Sequence, residues 1–147
     1  MLINLSNHPS GSWSDAQRAA AMDQYGEVKD MDFPNIPPTW THEQVETCAW
    51  NYWAEISFQL EGQAKNHPDN CPQPFGTLGG LGCVCPQNAV HLMGETSFVV
   101  AFARYWDEFT GGPLNLNMIC STTERIVTQL PDGTKQSAFR FVGFRVM

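Results

Sequence analysis

The sequence predicts an α/β fold with a mostly parallel sheet, and three features carry that reading. Short apolar runs of strand length alternate with segments of helix length, each run ends in small polar or turn residues, and the last segment changes to a hairpin pattern. At 147 residues, 42% of them hydrophobic, the chain fits one domain over 1–147 that buries a sizeable core.

Residues 2–5 form a short apolar strand that runs into Ser6, Asn7, His8 and Pro9, and Pro9 and Gly11 open a loop. A helix fits 13–25, with Ser14 as N-cap, Gln17 completing a capping box and Gly26 as the stop. Residues 27–33 read as a second strand, closed by Pro34, Pro37 and Pro38. Thr41 and Gln44 make another capping box, and Val45, Cys48, Ala49, Tyr52, Trp53, Ile56 and Leu60 recur on one face of a helix over 42–60. The stretch 62–87 is rich in Pro, Gly, Asn and Cys, lacks either period, and reads as an irregular insertion.

A third strand fits 89–93. It leads into Gly94-Glu95-Thr96-Ser97 and a nearly continuous apolar segment to 109, the signature of a buried helix, stopped by Gly111, Gly112 and Pro113. A fourth strand at 116–120 runs into Ser121-Thr122-Thr123-Glu124-Arg125. Segments 125–130 and 134–146 then flank Pro131-Asp132-Gly133, a tight-turn sequence. The order predicts a Rossmann-like three-layer domain with a C-terminal β-hairpin.

Composition narrows the function. The formal net charge is −7 with eight Lys and Arg in all, and no run of them. A groove for duplex nucleic acid needs many such residues to neutralise phosphates, so that class is excluded. A small anionic ligand is still compatible, since one or two Arg with backbone N–H groups hold a phosphate locally. Nine Phe, five Trp and three Tyr exceed what one core of this size hides, which suits an interface or a flat ligand.

The opening residues carry no basic segment followed by a long apolar one, and no apolar run reaches the roughly 18 residues of a membrane span. Five Cys is an odd number. Reduced thiols and a cytoplasmic location are therefore expected. Gly-x-Gly-x-x-Gly, a phosphate-loop Lys motif, a nucleophile elbow and paired helical His are all lacking, which removes the commonest dehydrogenases, nucleotide hydrolases, serine hydrolases and zinc proteases.

Ligands of open parallel sheets bind beyond the carboxyl ends of the strands. Three polar exits fall there: Ser6 to Ser10, Gly94 to Ser97 and Ser121 to Arg125. Ser6, Asn7, Ser10, Gly94, Thr96, Ser97, Ser121, Thr122 and Thr123 are accordingly candidate ligand contacts. Thr96 and Ser97 stand at a helix N-terminus, where free N–H groups suit a phosphate, or where Thr96 is simply the cap. Glu95 opposes a phosphate by its charge unless it turns away or acts on a hydroxyl. Arg125 is the one Arg of the exits and fits a phosphate bidentately, or pairs with Glu124 or Asp15. His8 suits a general acid or base, and equally a solvent-facing role. Trp13 offers a stacking face for a base, or a staple onto its helix. His91, Cys48 and Cys120 read as core. His67, Cys71, Cys83 and Cys85 are four possible zinc ligands whose spacing matches no paired-knuckle pattern, so neither a metal nor a cofactor is assigned.

The exit Val90-His91-Leu92-Met93-Gly94-Glu95-Thr96-Ser97-Phe98 resembles the strand-to-helix motif of CRISPR-associated Rossmann-fold (CARF) domains, and Ser6 to Ser10 corresponds to that family's other ligand loop. Met93, Glu95 and Ser97 stand where the family pattern has Thr, a second Gly and Lys. The resemblance implies a homodimer that binds a cyclic oligoadenylate, and in small stand-alone relatives a metal-independent ring nuclease of type III CRISPR defence. It also implies that Ser10, Thr96, Thr123 and Arg125 cradle phosphates while His8 or Glu95 moves a proton. A small enzyme acting on another nucleotide or nucleoside, and a protein-interaction module, are the alternatives.

Overall fold

The computed structural model describes residues 1–64, 88–110 and 117–147. Eight main elements follow one another: β1 (Leu2–Ser6), α1 (Asp15–Tyr25), β2 (Val28–Asp32), α2 (His42–Ala64), β3 (Ala89–Met93), α3 (Thr96–Thr110), β4 (Asn117–Gln129) and β5 (Lys135–Val146). The strands form one sheet in the order β2-β1-β3-β4-β5. The first four are parallel and β5 runs antiparallel to β4. The chain steps from β1 out to β2 and then returns to the other side of β1, so the winding reverses between β1 and β3. That reversal is the topological switch point, where sheets of this kind open a ligand crevice.

The predicted α/β class, with a Rossmann-like sheet and C-terminal hairpin, is the observed one. Both faces of β1 are covered, which is why its residues read as a continuous run rather than an alternating one. Ile3, Leu5, Val90 and Leu92 face α2 and α3 and pack with Val45, Ala49, Phe98 and Phe102. Leu2, Ala89 and Ile119 face the opposite way, towards Trp13, Ala21 and Tyr25. Three layers result: α1, sheet, and the α2–α3 pair. Among the described residues no helix is long and apolar enough to cross a membrane.

The ends of the helices follow local chemistry. Thr41 and Gln44 form the full reciprocal capping box: the Gln44 N–H donates to Thr41 Oγ1 at 3.3 Å, and the Thr41 N–H donates to Gln44 Oε1 at 2.8 Å. At α1 only half of a box forms. Ser14 Oγ accepts the Gln17 N–H at 3.2 Å, but the Gln17 side chain goes elsewhere. Gly26 closes α1 at φ 75° with its N–H on Met22 O, a left-handed position that suits glycine. The helix predicted over 42–60 continues to Ala64. Most of the predicted insertion at 62–87, including His67, Cys71, Cys83 and Cys85, lies outside the described residues, as do Gly111, Gly112 and Pro113.

One expectation about the chain path is corrected. The polar exit 121–125 is not a loop: β4 runs unbroken to Gln129, because β5 offers it a continuous antiparallel partner from Ile119↔Val146 to Gln129↔Lys135, with one bulge at Thr122/Thr123. Only Asn117, Met118 and Ile119 of β4 pair with β3. Beyond them β4 and β5 form a two-stranded arm that extends about 30 Å past the sheet, at about 3.4 Å per residue. Its turn is closed by Gly133 at φ 85° and by the Asp132 carboxylate, which accepts from the Thr134 N–H and Oγ1 at 2.9 and 2.6 Å.

Candidate functional site

On the α1-facing side of the sheet the apolar residues stop half-way along the strands. Leu2 and Ala89 fill the first row, and the next row is polar on β2, β1 and β3. Asn4 of β1 is in register with Asp30 of β2 on one side and His91 of β3 on the other. On β4 the residue in register with His91 is Ile119, and Ser121, two residues further along the same face, reaches back to the His91 ring. Side chains alternate along a strand, so polar residues at equal height on β2, β1 and β3, with Ser121 one step higher on β4, yield a stripe across the sheet near its carboxyl edge.

The stripe is one hydrogen-bonded chain. Asn4 Nδ2 donates to Asp30 Oδ1 at 2.7 Å and to the His8 carbonyl at 2.9 Å. Both partners are acceptors, so the amide orientation is fixed and Asn4 Oδ1 is left to accept. It lies 2.8 Å from His91 Nδ1, which must therefore carry the ring proton. His91 Nε2 is then the bare nitrogen, and it accepts from Ser121 Oγ at 2.8 Å. Gln17 Nε2 donates to the same Ser121 oxygen at 3.1 Å, which explains the missing half of its capping box.

His91 is 2% exposed. Burial, with a smaller push from nearby His8, lowers its pKa from 6.5 to about 4, so the ring is neutral at neutral pH. Trp13 and Phe144 rings stand edge-on to it at 5.3 and 5.6 Å. Burial works against ionisation of Asp30. Hydrogen bonds from Asn4 and from the N–H and Oγ of Ser10 outweigh that and hold its carboxyl below its ordinary pKa.

The segment after β1 folds back over this row. The His8 carbonyl accepts from Asn4 Nδ2, and from Trp13 Nε1 at 3.0 Å. Ser6 is buried and bonded to Asn4 Oδ1 at 2.8 Å, Asn7 donates its N–H to Met93 O, and the His8 side chain is exposed. Trp13 is 5% exposed, so its ring forms a wall behind His91 rather than an open stacking face. A cleft of about 340 Å³ opens beside the row, lined by Asn4, Ser6, Asn7, Asp30, Asp32 and Phe33 among others.

The second exit is arranged differently from the first. Glu95, directly before α3, lays its carboxylate over the helix start, accepting from the Ser97 N–H at 3.1 Å, Ser97 Oγ at 2.6 Å and the Phe98 N–H at 2.9 Å. These bonds, Ser97 Oγ foremost, lower its pKa. The donors considered for a phosphate are thus already answered by the chain's own anion, and Glu95 rather than Thr96 is the cap. Thr96 is exposed beside it. Gly94 serves packing, since a Cβ there would collide with the Phe33 ring.

At the third exit Ser121 joins the row, whereas Thr122 Oγ1 bonds to the Gly143 carbonyl at 2.9 Å and Thr123 and Arg125 ride out on the hairpin arm. Arg125 lies four positions beyond Ser121, or about 13 Å of strand. The acidic partners considered for Arg125 are engaged by others: Glu124 by Arg140 and Asp15 by Arg18. Of the candidate residues, then, Ser6, Ser10, Trp13 and Ser121 meet with the His8 backbone. Glu95, Thr96 and Ser97 form a separate group, and Arg125 stands apart from both.

Asn4, Gln17, Asp30 and His91 belong to the site without having been singled out for it. The one available signal was a polar residue inside each of two runs otherwise apolar on both faces, Leu-Ile-Asn-Leu and Ala-Val-His-Leu. Among the described residues no three His, Cys, Asp or Glu side chains gather as a metal-ligand set. No family model matches the chain, and neither the curated proteins nor the solved structures contain a match to it.

The neutral His91 makes the fold acid-sensitive in a defined window. Its folded-state pKa lies below the unfolded value, so the stabilisation is present above pH 6.5 and is lost as the pH falls towards 4. Urea unfolding of the wild type loses about 2 kcal/mol more than His91→Gln between pH 7 and 4.5. Equal losses in the two proteins would contradict a buried neutral ring.

Proposed function

We propose that this carboxyl edge binds a cyclic oligoadenylate and cleaves it without a metal, so that the protein acts as a ring nuclease in type III CRISPR signalling in the cytoplasm. The observation that carries the reading is the hydrogen-bonded Asp30–Asn4–His91–Ser121 row, whose Asp30–Asn4 end lines a cleft at the carboxyl edge of a switch-point sheet. Asp32 ends β2, the position at which an acidic side chain holds ribose hydroxyls in nucleotide-binding sheets, and it lines that cleft. Its charge disfavours a phosphate at that spot and favours hydroxyl or amine donors. Positive charge lies instead on the arm, with Arg125 about 13 Å beyond Ser121. Sites for sugar and for phosphate set so far apart suit a ligand of several nucleotides better than a mononucleotide.

The arm also supports the expected homodimer. It carries Arg125, Lys135, Arg140 and Arg145 against Glu124 and Asp132 in a chain of net charge −7, so a basic arm projects from an acidic body. Val127, Phe139 and Val142 are more than half exposed on it. An apolar, basic arm from one copy complements the acidic body of another, and a twofold pair matches a ring-shaped ligand.

Incubation with cyclic tetra- and hexa-adenylate, followed by chromatography and thermal-shift assay, tests the function. Binding at 100 times the dissociation constant stabilises by about 2.7 kcal/mol, and a linear product appears. Stabilisation by mononucleotides alone would move the assignment to a nucleotide enzyme, and no response to either class ends it. For the dimer, light scattering gives twice the monomer mass for the wild type and the monomer mass for Phe139→Asp/Val142→Asp. A monomeric wild type contradicts the assembly.

A further inference from the structure

The His91 chain ends in a way that a purely structural network does not require. Asn4, Ser6 and Asp30 satisfy one another inside the fold, but the last member, Ser121, is half-buried at the edge. Its hydroxyl proton is committed to His91 Nε2 and one lone pair to Gln17, which leaves one lone pair unassigned. Hydroxyl, unprotonated imidazole and an orienting amide in series, at 2.8 and 2.8 Å, make the nucleophile–base–orienter geometry that activates an O–H group. Asn4 stands where other such arrangements place a carboxylate or an amide behind the imidazole, fixing its tautomer.

We propose that Ser121, His91 and Asn4 act as a proton relay, in which Ser121 takes the proton of a substrate hydroxyl while passing its own to His91 Nε2. The relay rests on the proposed function for the identity of that hydroxyl, the ribose 2′-OH of the bound oligoadenylate. Loss of the 2′-OH proton frees the oxygen to attack the adjacent phosphorus. The 2′-O–P bond forms, the P–O5′ bond breaks on the far side, and the departing 5′ oxygen takes a proton from water. The resulting hydroxide neutralises His91 through Ser121. The products are a 2′,3′-cyclic phosphate and a 5′-hydroxyl, and no other reactant is consumed.

Ser121 is the catalytic residue here, while His91 and Asn4 act through it. Among the described residues the titratable groups facing His91 are His8, from the segment after β1, and Asp30 of β2 behind Asn4. Trp13 and Gln17 of the α1 layer, Ser121 of β4 and Phe144 of β5 bear no charge. A phosphate bound beside Ser121 favours the protonated ring, so the base strengthens when substrate arrives.

The decisive variant is His91→Gln, whose amide can donate to Asn4 and accept from Ser121 but cannot take up a proton. With cyclic tetra-adenylate, kcat falls about 100-fold or more in His91→Gln and in Ser121→Ala, while the dissociation constant changes less than about threefold. The acid limb of the wild-type kcat–pH profile disappears in His91→Gln. Wild-type turnover with an unchanged pH profile in His91→Gln overturns the relay. A substrate-free arm separates this from the function itself: a fluorophosphonate reacts with a hydroxyl whose proton a base removes. If the wild type cleaves no oligoadenylate but peptide mass spectrometry finds the adduct on Ser121, and not in His91→Gln, the ligand assignment falls and the relay stands. If it cleaves none and Ser121 stays unmodified, both fall.

Discussion

The arrangement depends on two hydrogen bonds donated by one amide. Asn4 Nδ2 faces a carboxylate and a carbonyl, neither of which can donate, and this leaves its oxygen towards His91. From that follow the tautomer of His91, the bare Nε2, and the direction of the Ser121 hydroxyl. A buried polar group costs free energy unless it is bonded, so each member of the row is retained by the others. Deleting one would strand several partners, and the row behaves as a unit rather than as four separate residues.

The fold supplies the height at which these residues meet. Parallel strands β2, β1 and β3 hold Asp30, Asn4 and His91 in one row, and α1 closes over it through Trp13 and Gln17. The apolar half of the same face, built on Leu2, Ala89, Ile119 and Tyr25, keeps the strands in register. A slip of one residue would turn Asn4 or His91 towards α2 and α3 and scatter the row. The hairpin then carries the positive charge of Arg125, Lys135 and Arg140 outward from the same edge.

Much of the fold was legible because its signals are local. Capping residues at Ser14 and Thr41, the Gly26 stop and the Pro131-Asp132-Gly133 turn each act within a few residues. The end of β4 was not, since Ser-Thr-Thr-Glu-Arg suits a loop or an edge strand equally, and only β5 decides between them. The site was less legible still. Its key contact joins residues 87 apart in sequence, and a His or Asn in an apolar strand carries no mark of its neighbour. Glu95 shows the opposite case. Its charge was read as an obstacle to phosphate, and the structure gives the local reason: the carboxylate already caps α3.

The central claim is a neutral His91 with its proton on Nδ1, and long-range ¹H–¹⁵N correlation of the imidazole reads that directly. Nδ1 is protonated and Nε2 bare at pH 7, unchanged down to about pH 5. A charged ring at pH 7, or a proton on Nε2, would contradict it.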